Sequence, residues 1–295
     1  HYSDPFFQKS RPVDGVELDP LFAGKDLAGI AARYYRGLGM EVEPVLERSD
    51  LYQRPGKSPH AFCMDIDRAG DVRILANLKD NAKWMGTLLH ELGHAVYDLN
   101  IDSSLPFMLR KYPHYSLTEA SAMFFESMLT EPEWLNSHLG AGIEEDQGRK
   151  LTISRNAQKL IFARWCQIMV RFERELYRNP RQDLDSLWWE MAGKYQLVRI
   201  PAARSLPDWA SKIHFVTSPV YYHNYLLGEL IASQLRHYIR ADVDGDMMEN
   251  GQKISEYLTS NIYSRGNLLR WDKLMERATG ERVNPDYLAR ELKEI

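Results

Sequence analysis

Residues 82–99 read AKWMGTLLHELGHAVYDL, and the reading of this stretch decides the rest. Met85, Leu88, Leu89, Leu92, Val96 and Leu99 recur at helical spacing, which predicts an amphipathic helix from Ala82 to about Leu99. His90-Glu91-Leu92-Gly93-His94 lies inside it. A four-residue step on a helix puts both imidazoles on one face about one turn apart, where they can share a Zn²⁺ ion. Glu91 can reach the water that such an ion activates and act as its general base. Two histidines at the polar edge of a buried helix would be the plain alternative, but HExxH on a helix is the more specific pattern.

Two histidines leave zinc one protein ligand short. The extended HExxHxxGxxH pattern fails, because Tyr97 and Asn100 stand where it needs Gly and His. A window some 18 to 20 residues after His94, where other zinc peptidases place a Glu, holds Pro113 and His114 and no carboxylate. Glu119, 25 positions beyond His94 in Thr118-Glu119-Ala120-Ser121-Ala122, is the candidate third ligand, with His114 and Glu126 in reserve. Its competing role is a cap, since Ser116-Leu117-Thr118-Glu119 fits a capping box. Asp98, one turn past His94, is a candidate to orient one of the imidazoles.

Outward from this helix the chain reads mainly α. Helices are predicted over Lys25–Arg36, Thr118–Leu129, Asn156–Arg178, Ser255–Tyr263, Leu268–Ala278 and Asp286–Glu294. Another is predicted to open at Ser218-Pro219, an N-cap and N1 pair, and to run to about Ile239. The β signal is a hairpin beside the HExxH helix, Ala61–Ile66 and Val72–Ala76 around Arg68-Ala69-Gly70-Asp71.

With 295 residues, 44% of them hydrophobic, the chain can bury a large core. A net charge of −4 offers no general grip on nucleic acid or anionic lipid, and no apolar run is long enough to span a membrane. Cys63 and Cys166 are expected to be reduced, which slightly favours the cytoplasm but leaves a secreted or periplasmic location open. His1 in place of Met marks the expectation of a processed product or a piece of something longer. Asp242-Val243-Asp244-Gly245-Asp246 lacks the glycine position and the acidic twelfth residue of a calcium loop, and Met248-Glu249-Asn250 lies on the wrong side of the zinc helix for an aminopeptidase motif.

Several segments together resemble a known group of zinc peptidases, the peptidyl-dipeptidase A family (angiotensin-converting enzyme and its bacterial relatives) and the related thimet oligopeptidase and oligopeptidase F family. Both use HExGH and a Glu opening a later helix after a gap close to this one. Asp50–Lys57 (DLYQRPGK) is similar to the entry of the catalytic half in the thimet group. Pro59-His60-Ala61-Phe62, Lys212-Ile213-His214 and the Tyr222/Tyr225 pair resemble cleft motifs of the converting-enzyme group. Arg277-Ala278-Thr279-Gly280 with Asn284-Pro285-Asp286-Tyr287 is like the shared ending.

The resemblance implies a gluzincin-type, mainly α catalytic half across 1–295, with 1–44 as lead-in, and an N-terminal half or partner chain completing the cleft. It implies one zinc on His90, His94 and Glu119, with Glu91 as base and with Tyr225 and His214 donating to the oxyanion. His60 and Ala61 would bind the backbone of a short peptide substrate, and Lys212 its terminal carboxylate. Tyr222 is expected on the substrate wall, with Tyr221 an alternative, because the spacing from His214 differs by about one residue from the family's. His223 and Asn224 stand where that family carries a chloride-binding Arg, so chloride activation is not expected. The activity implied is removal of C-terminal dipeptides, or else endo-cleavage of oligopeptides; the competing class is a metal- and peptide-binding half without turnover.

Overall fold

The computed structural model describes residues 16–199, 206–242 and 250–293. The Asp242–Asp246 and Met248–Asn250 motifs and the irregular start before residue 16 lie wholly or largely outside them. In chain order the first elements are α1 (Asp19–Phe22), α2 (Leu27–Gly37), α3 (Glu43–Arg48), β1 (Asp50–Tyr52), β2 (Phe62–Asp65), β3 (Val72–Leu78) and α4 (Ala82–Leu99). There follow α5 (Tyr115–Glu126), α6 (Pro132–Leu139), α7 (Glu145–Arg178), α8 (Leu184–Gln196) and α9 (His214–Thr217). The last are α10 (His223–Asp242), α11 (Gly251–Asn261), α12 (Trp271–Thr279) and α13 (Asp286–Glu291). The protein is mainly α with one small sheet, and no described helix is long and apolar enough to cross a membrane.

The sheet has the order β1-β3-β2. The expected hairpin is β2 antiparallel to β3, with Phe62 opposite Leu75 and Asp65 opposite Val72. β1 adds a parallel strand that the sequence reading did not include. β2 is therefore an edge, and it packs along α4.

Gly93 lets α5 lie directly on α4. A Cβ there would stand 2.6 Å from the Cα of Ala122 and 2.9 Å from the carbonyl oxygen of Ser121, closer than carbon atoms can pack. Ser121 Oγ then donates to the Gly93 carbonyl at 2.7 Å. α10 closes on the other side of α5, where a Cβ on Gly228 would meet the Cβ of Glu119 at 2.8 Å. Two glycines thus bring three helices together at the level of the HExxH residues.

Two buried apolar clusters support this arrangement. The larger takes in α2, the sheet, α4, α5 and α10, with Tyr35, Ile74, Met85, Leu88 and Phe125 fully buried. The second joins α7 and α8 through Trp165, Cys166, Phe172, Trp188 and Trp189, and reaches Phe215 and Tyr222. It stands behind the 213–225 segment, which faces α4 across a cavity.

Several helix expectations are corrected. α10 opens at His223, not at Ser218-Pro219: Ser218 ends α9, and Val220 at φ +56° is left-handed, which no helix interior accepts. α7 starts at Glu145, three turns before the predicted Asn156, behind a Glu144–Gln147 capping box. α5 starts at Tyr115 with His114 as its N-cap, so Glu119 is not a capping residue.

Candidate metal centre

α4 presents His90 and His94 with ring centroids 4.9 Å apart, and α5 brings Glu119 against both. Glu119 Oε2 lies 3.6 Å from His90 Nε2 and 4.0 Å from His94 Nε2. Ligands about 2.1 Å from a tetrahedral zinc stand about 3.4 Å from one another, close to this triangle. Glu119 Oε2 is buried and has no hydrogen-bond partner among the described residues, while Oε1 accepts from the Tyr221 hydroxyl at 2.5 Å. One oxygen is anchored and the other is left for a cation, so the residues present fit a metal ion.

The remaining ring nitrogens are also engaged. His90 Nδ1 meets Glu126 Oε2 at 2.9 Å and His94 Nδ1 meets Thr118 Oγ1 at 2.7 Å, which turns both Nε2 atoms toward Glu119. Asp98 therefore orients neither imidazole, contrary to the sequence expectation, and Glu126 serves a ring rather than standing in reserve as a ligand. His114 caps α5, Nδ1 accepting from Ser116 N at 3.3 Å.

The electrostatics suit a dication. Burial raises the Glu119 carboxyl. Burial works to lower His90, but Glu126, Glu119 and Glu91 carry its imidazole up to about 10. Burial, with Glu119 and Glu126 adding and His90 opposing, pushes the Glu91 carboxyl up to about 7.

These groups open on a cavity of about 800 Å³. One wall is the edge strand with the residues before it, His60, Ala61, Phe62 and Cys63; the other includes His214, Tyr221 and Tyr225. Burial, with Lys212 and His60 adding, lowers His214 to about 4, so its imidazole is neutral at pH 7. Burial raises the Tyr221 and Tyr225 phenols, which stay protonated and able to donate. Both cysteines are free, Cys166 in the second apolar cluster.

A profile of peptidase family M3 matches residues 47–294. The chain belongs to that family. The family is one of peptidases, and among the described residues His90, His94 and Glu119 form a group that could hold a metal ion. Among similar proteins are the angiotensin-converting enzyme of Theromyzon tessulatum, 25% identical over 84% of this chain and 42% of that protein, and Carboxypeptidase 1 of Bacillus subtilis (strain 168), 24% identical over 80% and 52%. The fold is similar to that in the solved structure titled "BsuCP Crystal Structure", with a TM-score of 0.68 and 21% identity over 97% of this chain and 59% of that one. The M3 chain thus spans about half the length of the curated relatives it matches.

Of the sequence candidates, His60, Ala61, His214 and Tyr225 line the metal cavity; Lys212 and Tyr222 do not. Tyr222 is buried behind the wall, its hydroxyl accepting from Trp165 Nε1 at 3.1 Å. The Lys212 ammonium lies over the rings of Trp165 and Tyr222 at 5.4 and 5.5 Å, and burial lowers it to about 8. The residues that sequence reasoning missed are Tyr221 as partner of Glu119, and Thr118 and Glu126 as partners of the histidines. Glu126 carried a signal, being seven positions, two helical turns, after Glu119.

Proposed function

We propose that this chain is the catalytic half of a zinc peptidase that hydrolyses short peptides, most readily releasing dipeptides from a free C-terminus. The observation that carries the reading is the unpartnered Oε2 of Glu119 beside both His Nε2 atoms, with Glu91 on the same cavity. When bound, zinc supplies Lewis acidity to a water molecule and to the scissile carbonyl. Glu91 takes the water's proton and returns it to the leaving amine. Tyr225 and His214 donate hydrogen bonds to the developing oxyanion from the opposite wall. The edge of β2, unpaired among the described residues, favours an extended peptide bound through its main chain beside His60 and Ala61. The names of the relatives, a converting enzyme and a carboxypeptidase, support attack from the C-terminal end.

Endo-cleavage is the second reading, favoured by the placement of Lys212: its ammonium rests on aromatic rings rather than in the cavity wall. Product analysis separates the two. Dipeptide release from a blocked peptide with a free C-terminus, lost when that terminus is amidated, supports the first reading. Equal cleavage of both forms supports the second, and no chelator-sensitive cleavage of either sinks both.

A further inference from the structure

Asp98 is a charged group that the site described so far does not use. It lies one turn beyond His94 on α4 and lines the same cavity. Among the described residues no hydrogen bond or ion pair reaches its carboxylate, and the Nδ1 atoms of the two histidines are already taken by Glu126 and Thr118. Asp65, at the end of β2, is a second carboxylate close enough to act on it electrostatically. The other titratable groups around it are the Cys63 thiol and the phenols of Tyr97 and Tyr112, all neutral, and Lys111. Lys111 does not neutralise the pair by contact: its ammonium lies over the rings of Tyr112 and Tyr115, 5.3 and 5.0 Å from their centroids. Burial, with Asp65 adding and Lys111 opposing, pushes the Asp98 carboxyl up to about 7, a penalty that a bound cation would relieve.

We propose that Asp98, backed by Asp65, makes this end of the cavity a specificity subsite for the cationic side chain of a Lys or Arg that flanks the scissile bond. The geometry suits this partner. Asp98 is one helical turn, roughly 6 Å, from a metal ligand, which is within the reach of a lysine or arginine stem from a residue beside the bond. Tyr112 and Tyr115 line the same cavity and add apolar ring surface on which the aliphatic part of that stem can lie. A substrate cation would give Asp98 the partner it lacks, and a carboxylate at the same position would be repelled. This inference rests on the peptidase reading and names its substrate class.

The test compares pairs of blocked peptides that differ only in Lys against norleucine, placed on either side of the bond that is cut. The full chain is assayed for cleavage, and its zinc-loaded Glu91→Gln variant for binding by calorimetry. At one of the two positions the lysine peptide is expected to be preferred at least tenfold in both readouts. Asp98→Asn should bring that ratio below about threefold, and Asp98→Glu should restore part of it. A wild-type ratio near one at both positions, or a ratio that survives Asp98→Asn, overturns the inference. Cleavage of the norleucine peptides without cation preference sinks only this subsite. Absence of both cleavage and binding sinks the peptidase reading with it. If Asp98→Asn fails to fold, the wild-type ratio and Asp65→Asn, expected to lower it, still decide.

Discussion

The Tyr221 hydroxyl donates a 2.5 Å hydrogen bond to Glu119 Oε1, joining the turn before α10 to the carboxylate that completes the metal triangle. The bond fixes which oxygen faces the histidines. Partners of this kind typically contribute 10- to 100-fold in metal affinity. Tyr221→Phe should therefore weaken zinc binding by about that factor while leaving the fold intact, because the phenol donates into the cavity wall rather than filling the core. A competition titration against a chelator measures it; unchanged affinity would show that the bond is incidental.

Gly93→Ala should destabilise the protein and loosen the site together. The new methyl would press on backbone, not on a flexible side chain. Forcing an extra carbon into such a crossing costs about 1–3 kcal/mol, and relief requires α5, with Glu119, to move off α4. Urea unfolding and zinc titration should both fall, and an alanine variant with native values in both would refute the account of the crossing.

A buried ion cluster ties α13 to α7 and α10. Lys159 Nζ reaches Glu291 at 2.7 Å and Glu229 at 2.9 Å, and Arg236 Nη2 reaches each of the two carboxylates at 3.1 Å. Burial opposes ionisation of Glu291, but Arg236 and Lys159 hold its carboxyl well below the usual range. A group depressed in this way stabilises the fold fully above its unfolded value, about pH 4.3, and loses that contribution as pH falls through its folded value. Removing one partner of a buried pair costs about 3–5 kcal/mol. Glu291→Gln should show that loss at pH 7 and a smaller one near pH 3; a gap that widens in acid would be the wrong sign.

The parts legible in sequence are those set by local pattern. The apolar period of 82–99 located α4, and the turn residues 68–71 located the hairpin. Glu119 was reachable because few carboxylates lie at a suitable distance from His94. What escaped depends on partners distant in sequence. β1 is three residues long, and its parallel pairing with β3 leaves no local signature. The first turns of α7 carry Gly148 and a run of charges that hide their period, and α6 and α8 are helices whose exposed faces dilute the apolar stripe. Tyr222 was expected on the substrate wall from the family likeness of the Tyr222/Tyr225 pair, with Tyr221 as the alternative. The left-handed Val220 holds them in a turn before the helix, where helical phase does not apply, and there Tyr221 turns to the cavity and Tyr222 to the core.

The most direct test of the whole account is metal content read beside turnover. Purified chain, its Glu91→Gln variant and its His94→Ala variant would be analysed for zinc by mass spectrometry and assayed on a blocked tripeptide with a free C-terminus. One zinc per chain is expected in the first two and little in the third, with chelator-sensitive cleavage by the unsubstituted chain alone. A folded, unsubstituted chain that binds no zinc, or a Glu91→Gln variant that cleaves as fast as the unsubstituted chain, would contradict it.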